Sequence, residues 1–138
     1  MRYLLDTNIA IFMILGEEDE FSPEVRNILS DFSNTLYISA LSVVEIGFLF
    51  KRKKIMTQYK SLDALVKSLK EQFYLNILHS SESHLQQYLR LEIAPNHSDQ
   101  IDHFIVSQAI ADKMPLISSD RQFQNYVPQK LNFVFNRR

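Results

Sequence analysis

Five short apolar segments, set apart by stretches of helical pattern, constrain this chain more than any other feature. Tyr3–Leu5, Thr35–Ser39 (TLYIS), Tyr74–Leu78 (YLNIL), Pro115–Ser118 (PLIS) and Leu131–Phe135 (LNFVF) have the length and content of strands. Between them the pattern predicts helices over Asn8–Leu15, stopped by Gly16, and from Ser22-Pro23-Glu24, a cap with proline at the first helical position, to about Phe32. Further helices are expected over Ser42–Lys54, Leu62–Gln72, Glu82–Leu91 and Ile101–Lys113, with one helical turn at Arg121–Phe123. Strands that alternate with helices form crossovers, so the expected fold is a three-layer α/β/α sandwich with a central, mainly parallel sheet. The 138 residues, 46% of them hydrophobic, suffice for one domain over 1–138, and no repeat or linker interrupts them.

Against that apolar background a few acids stand out. In MRYLLDTNIAIFMIL, Asp6, Thr7 and Asn8 break an apolar run where strand becomes helix. A carboxylate there is either a helix cap or part of a site. Asp120, after PLISS, has the same two readings, and Asp102 reads either as the partner of a capping Asp99 or as a site residue. Glu45 is the anomaly: its helical neighbours Leu41, Ser42, Phe48 and Leu49 are largely apolar, so a charged Glu45 requires a cation, a metal ion or a basic residue of the chain itself.

In a parallel α/β sheet the carboxyl ends of the strands share one edge, outside which ligands bind. Asp6 and Asp120 belong to that edge, and Glu45 and Asp102 lie early in helices that pack beside it. Two carboxylates about 4 Å apart repel by about 4 kcal/mol at an effective dielectric of 20, so such a gathering calls for protons or metal. A donor set of oxygens without cysteine favours Mg²⁺ or Mn²⁺ over Zn²⁺.

Other classes find little support. The two glycines, Gly16 and Gly47, form no phosphate-cradling motif. A net charge of -1 provides no global field for polyanions or anionic membranes, so nucleic acid would need local patches or metal. The absence of cysteine excludes disulfides and fits a cytoplasmic location, and no signal peptide or membrane span is expected, since Asp6 falls inside the first apolar run.

Four blocks in order, LLDTN (Leu4–Asn8), SALSVVEI (Ser39–Ile46), DQIDHFIVSQA (Asp99–Ala109) and PLISSDRQF (Pro115–Phe123), carry a resemblance over the whole length. The chain resembles PIN-domain ribonucleases of the VapC type, toxins of type II toxin-antitoxin pairs. The resemblance implies a PIN-like domain in which Asp6, Glu45, Asp102 and Asp120 are the catalytic, metal-binding acids, with Mg²⁺ or Mn²⁺ as cofactor. It implies that Asn8, Ser118 and the rim acid Asp99 position carboxylates, water or substrate. It further implies hydrolysis of RNA phosphodiesters, in tRNA or another structured RNA with accessible loops, a cognate antitoxin, and a homodimer. Where many relatives have Pro-Phe between the two acids and Arg after them, this chain has Gln100, Ile101 and His103, a departure that bears on substrate preference.

The remaining signals stay open. Lys51, Arg52, Lys53 and Lys54 are either a solvated helix end or contacts to the RNA backbone. His97 and His103 flank the acidic loop with no assigned role. The first helix is apolar all round, so Ile9 and Phe12 are either core or the lining of an antitoxin groove. The alternatives to a nuclease are a catalytically silent PIN-like module that binds RNA or protein, and a phosphoryl-accepting enzyme with Asp6 as nucleophile, for which Asn8 stands where a second acid is usual.

Overall fold

The protein, described over residues 1–138 by a computed structural model, builds one sheet from β1 (Arg2–Leu5), β2 (Thr35–Ser39), β3 (Leu75–Leu78), β4 (Leu116–Ser118) and β5 (Phe133–Phe135). The spatial order is β3-β2-β1-β4-β5 and every pair is parallel, not merely most of them. Leu5 sits in register with Ile38 on one side and Ile117 on the other. The chain steps outward from β1 through β2 to β3 and then returns to lay β4 on the opposite flank of β1. That reversal opens a crevice at the carboxyl ends of β1 and β4.

Strand alternation divides the interior into two cores. Tyr3, Leu5, Ile38 and Ile117 point to one face, where α1 (Thr7–Leu15), α2 (Pro23–Ser30), α3 (Ala40–Lys51) and α4 (Leu62–Glu71) contribute Ile9, Val25, Ile46 and Leu69. Leu4 and Leu116 point to the other, against Ile105 and Val106 of α6 (Gln100–Asp112) and Phe123 and Tyr126 of a 3-10 helix, Arg121–Gln129. The remaining α-helix, α5 (Glu82–Arg90), packs on α6, and a short 3-10 turn, Glu18–Glu20, joins α1 to α2. These layers make the expected sandwich. No helix is long and apolar enough to cross a membrane.

Several boundaries differ from expectation for local reasons. The third helix starts at Ala40 rather than Ser42 because Ser39 caps it, its Oγ accepting from the Leu41 N–H at 3.2 Å. The helix after β4 runs to Gln129 instead of making a single turn, and closes at Lys130 with φ +78. Tyr74, at φ +56, stands outside β3, and α2 stops short of the fully exposed Phe32.

The all-apolar α1 is largely covered by its own chain. Ile9 is completely buried in the first core, so the expectation that it lines a partner groove is corrected: its side chain faces the sheet. Phe12 remains half-exposed, edge-on to Phe21 at 6.1 Å, with the Arg138 guanidinium 5.0 Å from its ring centre.

Candidate active site

Asp6 leaves the carboxyl end of β1 as the N-cap of α1. Its Oδ1 accepts from the Thr7 N–H at 2.8 Å and its Oδ2 accepts from the Ser118 hydroxyl at 2.7 Å. The Ser118 oxygen in turn accepts the Asp120 N–H at 3.0 Å, so one hydroxyl ties the ends of β1 and β4 together. The Thr7 hydroxyl donates to Ser42 at 2.8 Å, linking the start of α1 to α3. Asp6 is therefore both a cap and a crevice residue, and the two readings do not compete. Its carboxyl is raised to about 7, chiefly by burial, with the charges of Asp102 and Glu45 adding and the donors Ser118 and Thr7 opposing.

Asp102 occupies the first turn of α6. Asp99 caps that helix, accepting from the N–H groups of Ile101 at 2.9 Å and Asp102 at 3.4 Å. Asp102 does not answer that cap: its Oδ2 lies 3.1 Å from His97 Nε2. Burial, followed by the charges of Asp99, Asp120 and Glu45, raises the Asp102 carboxyl to about 7. Asp120, half-buried, caps the 3-10 helix through the Gln122 N–H at 2.9 Å. Glu45 is half-buried on α3 and pairs with no lysine or arginine, so the internal ion pair considered for it is not made.

These side chains converge. Asp6, Glu45, Asp99, Asp102 and Asp120 line one hollow of about 270 Å³ together with Thr7, Asn8, Ile11 and Leu49. Ser118 lies buried beneath it. No lysine or arginine reaches the lining, which leaves five acids facing one space with His97, behind Asp102, as the basic side chain in contact with them. Burial first, and then the neighbouring acids, lift Asp6 and Asp102 towards neutrality, and a divalent cation would restore their charged forms. The donor set fits a hard, oxygen-seeking ion.

The other residues singled out in the sequence lie apart. Lys51, Arg52, Lys53 and Lys54 are exposed at the far end of α3, where Lys51 and Lys53 line a separate hollow with Ile55 and Met56. The buried His103 has its Nε2 2.7 Å from the His97 carbonyl oxygen, to which it donates. His97 is closer to the acids than the sequence indicates: one ligand-type atom from each of His97, Asp102 and Asp120 lies within 4.8 Å of the others.

A profile described as PIN domain matches residues 3–127. No curated protein matches the sequence. Among solved structures the chain is similar to VapBC2 from Rickettsia felis bound to a promoter DNA fragment, at 22% identity and TM-score 0.68 over 99% of each chain. It is also similar to VapBC-1 from nontypeable Haemophilus influenzae, at 21% identity and TM-score 0.66 over 98% of each. A toxin-antitoxin complex from Klebsiella pneumoniae gives 19% identity and TM-score 0.64 over 96% of this chain and 95% of that one. At such identities the structural likeness concerns the fold. The profile, however, covers four of the five strands and all the acids around the crevice, and so the chain belongs to the PIN-domain family.

Proposed function

We propose that the protein is a metal-dependent endoribonuclease and the toxin of a VapBC-type toxin-antitoxin pair. The observation that carries this reading is the hollow of five acids with no lysine or arginine in its lining, at the switch point of a parallel sheet. Asp6, Glu45, Asp102 and Asp120 would hold Mg²⁺ or Mn²⁺, which would activate water and offset charge on the phosphodiester oxygens. Ser118 orients Asp6 by donating to Oδ2, and its contact with the Asp120 N–H keeps that loop in step. Asn8, exposed on the rim, is available to substrate or water, as is the capping Asp99.

RNA with accessible single strands is the proposed substrate class, because its backbone bends into a crevice and its bases splay. Positive charge for the backbone has two sources. One is Lys51, Arg52, Lys53 and Lys54; the other is Arg121, directly after Asp120, whose guanidinium lies 5.1 Å from the centre of the Phe135 ring and which lines a hollow with Arg137. The second combines cations and aromatic rings as nucleic-acid surfaces do.

The likeness to a structure described as a toxin-antitoxin complex, and to others described as VapBC, supports an antitoxin partner for this chain. On α1, Phe12 is the remaining candidate contact, near the hollow of Met13, Phe21, Leu29 and Phe73. A homodimer is supported by α3, which exposes Leu41, Val44 and Phe48 at helical spacing.

The test is incubation of purified protein with total RNA, with Mg²⁺ or Mn²⁺ and then with EDTA, and sequencing of new 5' ends. Cleavage that requires metal and disappears in Asp6→Asn, Glu45→Gln and Asp102→Asn supports the reading. Cleavage indifferent to EDTA and to these substitutions overturns it, and RNA binding without cleavage identifies a silent module instead.

A further inference from the structure

His97 lies in the loop before α6 with its ring packed between Phe123, at 5.6 Å, Tyr126, at 5.5 Å, and His103, at 4.9 Å. It is 3% exposed, and both ring nitrogens are engaged. Nδ1 is 2.9 Å from the Tyr126 hydroxyl, and Nε2 is 3.1 Å from Asp102 Oδ2. Proximity to two carboxylates invites the view that His97 is a metal ligand. The partners of its other nitrogen argue otherwise.

Tyr126 is fully buried and its hydroxyl has two polar neighbours, His97 Nδ1 and the Ala94 backbone N–H at 3.2 Å. The Ala94 group can only donate, so it occupies a lone pair on the phenolic oxygen. The hydroxyl proton then has one acceptor in reach, His97 Nδ1. Were Nδ1 protonated, in the other tautomer or in imidazolium, the phenolic oxygen would receive two N–H groups and its own proton would be buried without a partner, at a cost of roughly 1–3 kcal/mol. Nδ1 therefore accepts, and Nε2 carries the proton of a neutral ring, aimed at Asp102. A protonated nitrogen has no lone pair for a cation.

We propose that His97 is a positioning residue for Asp102: locked by Tyr126 as the Nε2–H tautomer, it ties Oδ2 and directs the carboxylate's free lone pairs into the acidic hollow. This rests on the reading of Asp102 as a metal-binding acid. The chain of contacts runs from the Ala94 backbone through Tyr126 and His97 to Asp102, so the 3-10 helix after β4 sets the orientation of a carboxylate on α6. Hydrogen bonds of this kind behind a ligand orient it and raise affinity.

Nitrogen-15 NMR of the metal-free wild type reads the proton directly. The expected result is an unprotonated Nδ1 and a protonated Nε2 at His97; the reverse pattern overturns the proposal. Mn²⁺ titration and pulsed EPR then test the consequence. His97→Leu should weaken Mn²⁺ binding by about 10- to 100-fold, whereas His97→Gln, which keeps an N–H near the position of Nε2, should stay within about threefold of wild type. The bound Mn²⁺ should show no directly coordinated nitrogen, and a coordinated nitrogen lost in His97→Gln would make His97 a ligand and overturn the assignment. If His97→Leu does not fold, the wild-type spectra and the His97→Gln titration still decide. A wild type that binds no Mn²⁺ overturns the metal reading of the acids and with it the role given to His97 there, while the nitrogen-15 pattern separately establishes its proton.

Discussion

The Ser118 hydroxyl donates to Asp6 Oδ2 at 2.7 Å across 112 positions of sequence. The bond joins the carboxyl ends of two adjacent parallel strands and is one of the few contacts that offset the burial of Asp6. It makes Ser118 the hinge pin of the crevice: its oxygen also accepts the Asp120 N–H.

Ser118→Ala removes both contacts at once. The Asp6 carboxyl should rise further, because a donor to its charged form is lost, and Mn²⁺ affinity at neutral pH should fall by about tenfold or more. Isothermal titration checks this. An affinity equal to wild type would mean that Ser118 has no part in orienting the acids.

Asp6→Asn separates a cap from a charge cluster. Loss of an ordinary cap costs about 1 kcal/mol, but replacing one carboxylate among five with an amide relieves repulsion and retains hydrogen bonding to Thr7 and Ser118. The metal-free variant should therefore melt above wild type near neutral pH. Several millimolar Mg²⁺, an order-of-magnitude choice for a weak site, should raise the melting temperature of wild type and leave the variant unmoved. A variant that melts lower and gains equally from metal would reduce Asp6 to its capping role.

Much of this site was readable from the chain because charge at an apolar boundary is costly and therefore informative. Asp6, Asp120 and Glu45 stood out in that way, Asp102 only beside a capping Asp99, and the four meet in one hollow. Other features carried no such signal. A helix apolar on every side, such as α1, has no periodicity to say which face meets the sheet, and Ile9 and Phe12 were indistinguishable until packing buried one and left the other half-exposed. The role of His97 depends on Tyr126, 29 residues away, on a 3-10 helix longer than the turn that RQF suggests. Ser39 ends a strand and caps a helix with the same residue, which local pattern alone does not anticipate.

Charge substitutions at Ile9 and Phe12 should accordingly diverge. Ile9→Lys places an ammonium in a core with no counter-charge and should abolish soluble folding. Phe12→Lys loses the edge contact with Phe21 and meets Arg138, so the protein should fold with a lowered melting temperature and weakened antitoxin binding. Circular-dichroism melts and co-purification with the antitoxin measure both effects; unaltered antitoxin binding by folded Phe12→Lys would remove α1 from that interface.

Arg121→Gln tests the cationic surface next to Asp120. If that guanidinium contacts a phosphate, RNA affinity should weaken and the slope of log affinity against log salt should fall by about one. The same substitution at Lys51 or Lys53, which line a different hollow, should change the slope less. An unchanged slope for Arg121→Gln, with a reduced slope for the lysine variants, would move the RNA track to the end of α3.

The acids also set the sign of the metal-free protein's response to pH. Asp6 and Asp102 both have carboxyls raised to about 7, while an unfolded chain titrates aspartate near 3.9. Between those values the folded state holds more protons than the unfolded state, so stability falls as pH rises. The contribution is complete below about pH 4 and lost by the time pH has passed through about 7. Metal-free wild type should thus melt several degrees lower at pH 8 than at pH 5, and Asp6→Asn should show a shallower fall because one of the two groups is gone. Metal competes with the same protons, so Mn²⁺ affinity should strengthen by up to about tenfold per pH unit below 7 for each proton displaced. Saturating Mn²⁺ should then restore most of the stability lost at pH 8. Melting curves across that range, with EDTA and with Mn²⁺, measure every part of this, and a metal-free wild type that gains stability from pH 5 to 8 in parallel with Asp6→Asn would mean that the folded cluster holds no extra protons.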